Sequence, residues 1–206
     1  MLGLLALIAW IGAAEAAGPK KTLSEEDRAD VARAEAYLNA IGTLKARFLQ
    51  ISANGGQAEG TAFVSRPGRL RLKYDPPNPL EVVADGRFLI VFDRQLGSPS
   101  YLPLDSTPAG ILVRKNVRLD DKDVRVTRVT RQPGVLAVSV VEAEDPGAGE
   151  LTLVFAERPF QLRQWRVVDA QGQTTTVSLF DAQTGITLDP VLFEFKDPNF
   201  THKIGG

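Results

Sequence analysis

Cysteine is absent from this chain, and histidine occurs once, as His202 near the carboxyl end. The missing thiols exclude disulfides, thiolate zinc sites, cysteine nucleophiles and a lipid anchor attached to a cysteine. A single histidine leaves almost no material for a Ser-His-Asp triad or a histidine metal site. We therefore expect neither a metal nor another cofactor.

Motifs for nucleotide and acyl-transfer chemistry are also missing. The sequence has no Gly-x-Ser-x-Gly elbow, phosphate-binding glycine loop or dinucleotide fingerprint. The one acidic cluster, residues 120–123, lacks the glycine and distal glutamate of a calcium loop and indicates a solvated turn. We predict a protein that is not an enzyme. A hydrolase of lipids or envelope sugars stays open as an alternative, because any two acids can converge in space.

Charge is balanced, with 24 Lys and Arg against 25 Asp and Glu. Residues 1–16 contribute only Glu15, so the remainder carries 24 of each sign. Because a nucleic-acid-binding domain is normally basic, we expect no nucleic-acid partner.

The amino-terminal residues form the one long apolar run. It extends from Leu2 to Ala14 and leads into Ala14-Glu15-Ala16, a small-x-small cleavage pattern, although no Lys or Arg precedes it. The run is shorter than the roughly 20 apolar residues that span a bilayer. We predict a signal peptide at residues 1–16 and a single exported domain at residues 17–206.

The first half of the domain changes from one helix to a series of strands. Ser24 is a candidate N-cap, and Val31, Ala34, Leu38 and Ile41 form one apolar stripe of a helix that ends near Gly42. Alternating and apolar runs then predict five strands at residues 44–51, 60–65, 69–74, 80–84 and 87–93. The last of these is apolar on both faces. It is either covered on both sides or lines an apolar cavity.

The second half repeats this texture after a short helix, for which Thr107 can be the N-cap and Pro108 the first residue. Further strands are predicted at residues 123–130, 135–141, 150–156, 162–169, 174–180 and 191–195. The fold class is therefore mainly β: about 10–11 antiparallel strands that must curl under two or three helices to hide their apolar face. Periodicity alone does not say whether side chains or a ligand fill the space beneath the helices.

Four segments carry a family resemblance: "TLKARFLQ", "AEGTAFVSRPGRLRLKYDPP", "VADGRFLIVFD" and "YLPLDSTPAGILVR". In this order, behind a signal peptide and a capped helix, they resemble the LolA family, the periplasmic carriers of outer-membrane lipoproteins. The likeness covers essentially residues 17–206. It implies an incomplete, curved antiparallel β-barrel covered by α-helices, which encloses an apolar cavity for the acyl chains of a lipoprotein.

The resemblance implies a ligand-binding cavity, and the apolar strand and helix positions provide its expected lining. We assign to that lining Phe48, Val64, Leu70, Leu72, Ile90, Phe92, Ile111 and Leu112. Ordinary core packing is the alternative for these side chains.

Arg66 is the expected latch of the cavity. It shares strand parity with Val64 and Ala62 and thus points where the apolar residues point, which is unfavourable for a charge without full hydrogen bonding. In the family, the matching arginine is taken to bind backbone carbonyls of the lid helices when the cavity is closed. The resemblance implies that its partner is the helix at residues 107–114.

The function implied by the resemblance is that of a monomeric periplasmic chaperone. It would accept acylated lipoproteins from an inner-membrane lipoprotein-releasing ABC transporter and pass them to an outer-membrane acceptor or to the membrane itself. A periplasmic module of the same fold that senses or stores lipids remains the alternative within binding proteins.

Overall fold

The computed structural model describes residues 22–198. The predicted signal peptide at residues 1–16 and the single histidine, His202, lie outside that range. Between residues 22 and 198 no helix is both long and apolar enough to cross a membrane.

Helix α1 (Glu25–Ala40) begins and ends where the sequence predicts. Ser24 accepts a hydrogen bond from the Asp27 amide, and the Asp27 carboxylate accepts one from the Ser24 amide, which together form a capping box. Three acidic residues in the first turn complement the positive end of the helix dipole. The buried stripe of Val31, Ala34 and Leu38 then fixes α1 against the sheet.

Eleven antiparallel strands form one sheet in which β1 and β11 join the two halves of the chain. The spatial order is β6-β5-β4-β3-β2-β1-β11-β10-β9-β8-β7, so β6 and β7 are the edges of an unclosed sheet. The strands are β1 (Thr43–Ile51), β2 (Gln57–Ser65), β3 (Arg69–Tyr74), β4 (Leu80–Asp85), β5 (Phe88–Asp93), β6 (Pro99–Pro103), β7 (Val124–Gln132), β8 (Val135–Glu142), β9 (Gly149–Glu157), β10 (Phe160–Asp169) and β11 (Thr174–Thr184). An incomplete antiparallel barrel with helices is thereby confirmed.

One strand was not anticipated, and one predicted strand is wrong. Strand β6 lies in the proline-containing segment before the second helix, whereas residues 191–195, predicted as a strand, begin with a 3₁₀ turn at Pro190–Phe193. The strand count of about 10–11 survives because the two errors compensate.

The two prolines of β6 are compatible with a strand because of where they lie in the ladder. The Leu104 amide donates to the Arg87 carbonyl, and alternation from that bond turns the backbone of Pro99, Tyr101 and Pro103 toward the free edge. Proline has no N–H, so Tyr101 supplies the only edge donor among these three residues. The edge of the sheet is therefore poorly suited to pairing with another strand.

The core lies on the concave face, and α1 covers the half of it formed by β7–β10. Tyr37 packs edge-on against Phe155 and Phe160, with ring centroids 5.8 and 5.7 Å apart. Arg131 of β7 bonds Asp27 and Asp30 at 2.9 and 2.6 Å and ties the first turns of α1 to the sheet edge.

A second apolar layer lies on the convex face of β3–β6, beneath residues 189–198, which we call the C-terminal segment. Phe193 of this segment is buried, and Phe195 packs against Phe92 at a centroid distance of 5.5 Å. The Leu192 carbonyl accepts a hydrogen bond from Arg71 at 3.0 Å. Strand β5 is thus covered on its convex side by the end of the described chain.

Candidate functional site

The concave face of β1–β3 is an apolar floor. Phe48, Leu70 and Leu72 are buried in the core cluster, and Val64 packs against it, half-buried. Gly60 lies directly opposite Phe48, and a Cβ at this glycine would lie 2.7 Å from the Phe48 ring. The glycine therefore allows the aromatic ring to lie flat across the neighbouring strand.

Helix α2 (Pro108–Val113) packs against β9 of the same sheet, and we call it the lid helix. Thr107 caps the helix by accepting a hydrogen bond from the Gly110 amide. The side chains of Ile111 and Leu112, which belong to the helix, are buried. A Cβ on Gly110 would lie 2.2 Å from the Leu104 carbonyl oxygen, so the close approach of the preceding turn requires glycine. At the other end, the Gly68 amide donates to the Val113 carbonyl at 2.8 Å.

Arg66 lies at the end of β2, where the floor meets the helices. Its Nη1 donates to the Leu38 carbonyl in the last turn of α1 at 2.5 Å, while its buried Nε has no hydrogen-bond partner in the described part of the chain. Burial lowers the pKa of Arg66 to about 10, which leaves the guanidinium charged at neutral pH. The expected bond to the lid helix is wrong: the side chain binds α1, and the lid helix is held by the backbone of nearby Gly68.

Helix α1 also holds the segment that follows the lid helix. The Asn39 side chain donates to the Val117 carbonyl at 3.0 Å and accepts from the Val117 amide at 2.7 Å. The Glu35 carboxylate accepts from the Leu119 amide at 2.7 Å. Arg66 anchors the last turn of α1, which holds the segment after the lid helix through Asn39. Gly68, two residues after Arg66, holds the last residue of the lid helix.

Ile90 and Phe92 do not join the other predicted cavity residues. Register pairs Ile90 with Val83 and Tyr101, and paired residues share a face, which here is the convex one. Phe92 has the same parity and contacts Phe195 of the C-terminal segment. The assignment of these two residues to the concave cavity is corrected on this geometry.

The concave face of β4–β6 is the half that the helices cover least. Apart from the buried Ala84, its apolar side chains are half-buried or exposed: Leu80, Val82, Leu89, Val91 and Leu102. We call this set the open apolar surface. This surface was not predicted from the sequence, although Leu89 and Val91, alternate residues of the apolar run at 88–92, belong to it.

The enclosed space next to the lid helix is small. A cavity of about 40 Å³ lies between Pro108 and Ile111 of the helix and Val140 and Leu151 of the sheet. A space of this size holds a few water molecules and is far smaller than the cavities that bind drug-sized ligands.

Comparison with known proteins adds a family to this geometry. Residues 39–196 match the family model described as outer membrane lipoprotein carrier protein LolA. An outer-membrane lipoprotein carrier protein of Dechloromonas aromatica is 30% identical over 179 residues, which cover 82% of this chain and 84% of the relative. Its counterpart in Methylococcus capsulatus is 27% identical over 184 residues, 85% of this chain and 87% of the relative.

A solved structure supports the fold. A DUF1329 family protein of Desulfovibrio piger superposes with a TM-score of 0.52 at 10% identity, covering 80% of this chain and 95% of the other.

Proposed function

Because this chain belongs to the LolA family of outer membrane lipoprotein carriers, we propose that it is a periplasmic chaperone which binds the acyl chains of lipoproteins and delivers them toward the outer membrane. Residues 1–16 direct its export in this proposal. It works as a monomer between an inner-membrane lipoprotein-releasing ABC transporter and an outer-membrane acceptor, or the membrane itself.

Acyl chains require such a carrier because each CH₂ left in water is unfavourable by about 0.8 kcal/mol. Several long chains on one lipoprotein therefore do not cross an aqueous compartment uncovered. A protein that shields them must offer apolar surface of comparable extent and must also release it.

The observation that carries the proposal is the open apolar surface on the concave face, which also carries the apolar floor. Leu80, Val82 and Val91 remain half-buried on the concave face, although apolar side chains of a finished core are normally covered. The apolar floor lies on the same face: Leu72 is the direct cross-strand neighbour of Val82, and Phe48 of β1 lies three strands from Val82. Displacing the lid helix joins these surfaces into one trough.

Phe48, Val64, Leu70, Leu72, Ile111 and Leu112 line the trough in this proposal, and Arg66 is its latch. The guanidinium holds the last turn of α1 at the Leu38 carbonyl, and α1 holds the segment after the lid through Asn39. The unpartnered Nε is unfavourable in the closed arrangement, so the latch is strong enough to close the trough and weak enough to release it.

Native mass spectrometry of the mature protein with a triacylated lipopeptide tests the proposal. We expect a one-to-one complex that transfers the lipopeptide to acceptor vesicles. The Val91→Asp variant places a charge on the open apolar surface and should lose the complex. The control, Ile51→Asp, alters a convex-face residue that is 39% exposed and should bind normally.

Three outcomes count against the proposal or narrow it. No complex with folded protein, or equal loss in both variants, contradicts a concave acyl site. A stable complex without transfer to vesicles supports the alternative of a lipid-storing module.

A further inference from the structure

The convex face of β7–β10 contains a row of four polar residues that the carrier function does not use. Cross-strand register aligns Arg128 of β7, Ser139 of β8, Thr152 of β9 and Arg166 of β10. Two arginines therefore flank two hydroxyls across four adjacent strands. All four residues line one groove of about 260 Å³ on the face opposite the acyl trough.

Two β-bulges place the arginines on this face. In β7 the register shifts between Val126 and Arg128, so Val126 and Val129 both pack toward the core while Arg128 points outward. In β10 a shift between Leu162 and Gln164 has the same effect and leaves Trp165 inside and Arg166 outside. Bulges commonly re-aim side chains at functional positions.

Hydrogen-bond accounting shows an excess of donors in the groove. Ser139 Oγ and Thr152 Oγ1 are 2.8 Å apart and share one hydrogen bond, so one of the two hydroxyl protons is left over. Both residues are more than nine-tenths buried, at 5% and 8% exposure. Within residues 22–198, neither Arg128 nor Arg166 has a carboxylate or carbonyl partner for its guanidinium.

The acceptors in the groove are fewer. Glu150 is the one carboxylate along its lining, and its Oε2 already accepts from Thr127 at 2.8 Å. Each guanidinium offers five N–H donors and no acceptor, and its planar fork matches the oxygens of a phosphate. Two arginines against one glutamate leave the groove with a net positive charge.

We propose that the row Arg128–Ser139–Thr152–Arg166 binds a phosphate group. The phosphate oxygens accept from both guanidinium groups and from the free hydroxyl proton at the floor of the groove. Val135, Ala137 and Val154 complete the apolar walls, which suits a phosphate ester as well as the free ion. A groove of this size is smaller than the roughly 300–1,000 Å³ typical of drug-sized ligands and accommodates a headgroup.

The phosphate group can come from solution or from an anionic lipid, and two assays separate these sources. Calorimetric titration with inorganic phosphate and with glycerol phosphate measures binding in solution. Co-sedimentation with vesicles of phosphatidylcholine, alone or mixed with phosphatidylglycerol, measures binding to headgroups. Both use the full mature chain at low ionic strength, because salt screens exposed charges.

Arg166→Gln should weaken phosphate binding about tenfold or more, since a hydrogen bond to a charged group is lost. Thr152→Val keeps the shape of the side chain, removes the hydroxyl and should weaken binding less than the loss of the arginine. Arg158→Gln, in the exposed turn between β9 and β10, removes an equal charge outside the row and should leave binding unchanged.

Vesicle binding that free phosphate competes away assigns the groove to lipid headgroups, and binding in solution alone assigns it to soluble phosphate esters. Absence of both, or equal loss in Arg166→Gln and Arg158→Gln, overturns the site. Lipopeptide binding is unchanged in each variant, because the groove lies on the opposite face. Failure here therefore leaves the carrier function untouched.

Discussion

Replacing Arg66 tests the latch most directly. Arg66→Leu removes the charged hydrogen bond to the Leu38 carbonyl, a contact of a kind that contributes about 1.5–3 kcal/mol. The change also removes the unpartnered Nε. Burial of such a group is unfavourable by about 1–3 kcal/mol, and we take the lower value, about 1 kcal/mol, because Arg66 is only half-buried.

The difference leaves up to about 2 kcal/mol in favour of closure, which corresponds to a factor of up to about 30 in the equilibrium between closed and open lid. We expect Arg66→Leu to bind a triacylated lipopeptide more tightly and to release it to vesicles up to about 30-fold more slowly, since the closed state competes less well with cargo. Arg66→Gln retains a neutral donor group, so its release rate should lie between those of the wild type and Arg66→Leu.

Release is measured by loading each protein with fluorescent lipopeptide, adding vesicles and following the transfer. Urea unfolding of the same samples shows whether the fold is intact. Arg69→Leu removes an exposed arginine of β3 and should release cargo at the normal rate. Unchanged or faster release by a folded Arg66→Leu protein would refute the latch.

Three further predictions concern the lid, the amino-terminal cap and the convex face. Gly110→Ala should destabilise the protein by about 1–3 kcal/mol because its Cβ meets the Leu104 carbonyl, whereas Gly42→Ala, with open space around it, should change the urea midpoint little. The pKa of Asp27 is lowered by its hydrogen bond with Ser24 and by Arg131, so its contribution is present above its unfolded pKa of about 4 and is lost as pH falls through the lower folded pKa. Urea midpoints between neutral and acidic pH should thus fall less steeply for Asp27→Asn than for the wild type, and parallel curves would contradict this. Phe193→Ala should lower the free energy of unfolding by up to about 3 kcal/mol yet leave lipopeptide affinity unchanged, and a parallel loss of affinity would return Ile90 and Phe92 to the acyl site.

The sequence predicts α1, the lid helix and ten of the strands because each of them carries a local signal: a capping residue, a stripe of period 3.6, or alternation of period two. Strand β6 was missed because Pro99 and Pro103 are acceptable only at an edge, and edge position depends on the whole sheet. The 3₁₀ turn at Pro190–Phe193 was mistaken for a strand because its apolar content is that of a strand. Its conformation depends on packing against β3 and β4, which are distant in sequence.

The candidate site was predictable to a smaller extent. Phe48, Leu70 and Leu72 follow simple parity in strands without register shifts from β1 to β3. Ile90 was misplaced because an all-apolar strand does not indicate which face looks inward, and its convex cover comes from about a hundred residues downstream. Arg66 was identified by its inward parity. Its hydrogen-bond partner was not predicted, because it depends on how α1 packs on the sheet and the local sequence does not determine that packing.

The prolines of β6 affect the tendency of this chain to aggregate. A carrier that exposes apolar surface shares a feature with misfolded proteins. An unprotected edge strand beside that surface would allow one copy of the chain to pair with the next and to aggregate. With Tyr101 as the only edge-facing N–H donor from Pro99 to Pro103, the edge next to the open apolar surface offers no continuous template for pairing. The two prolines of β6 thus protect the edge strand against pairing with a second copy of the chain.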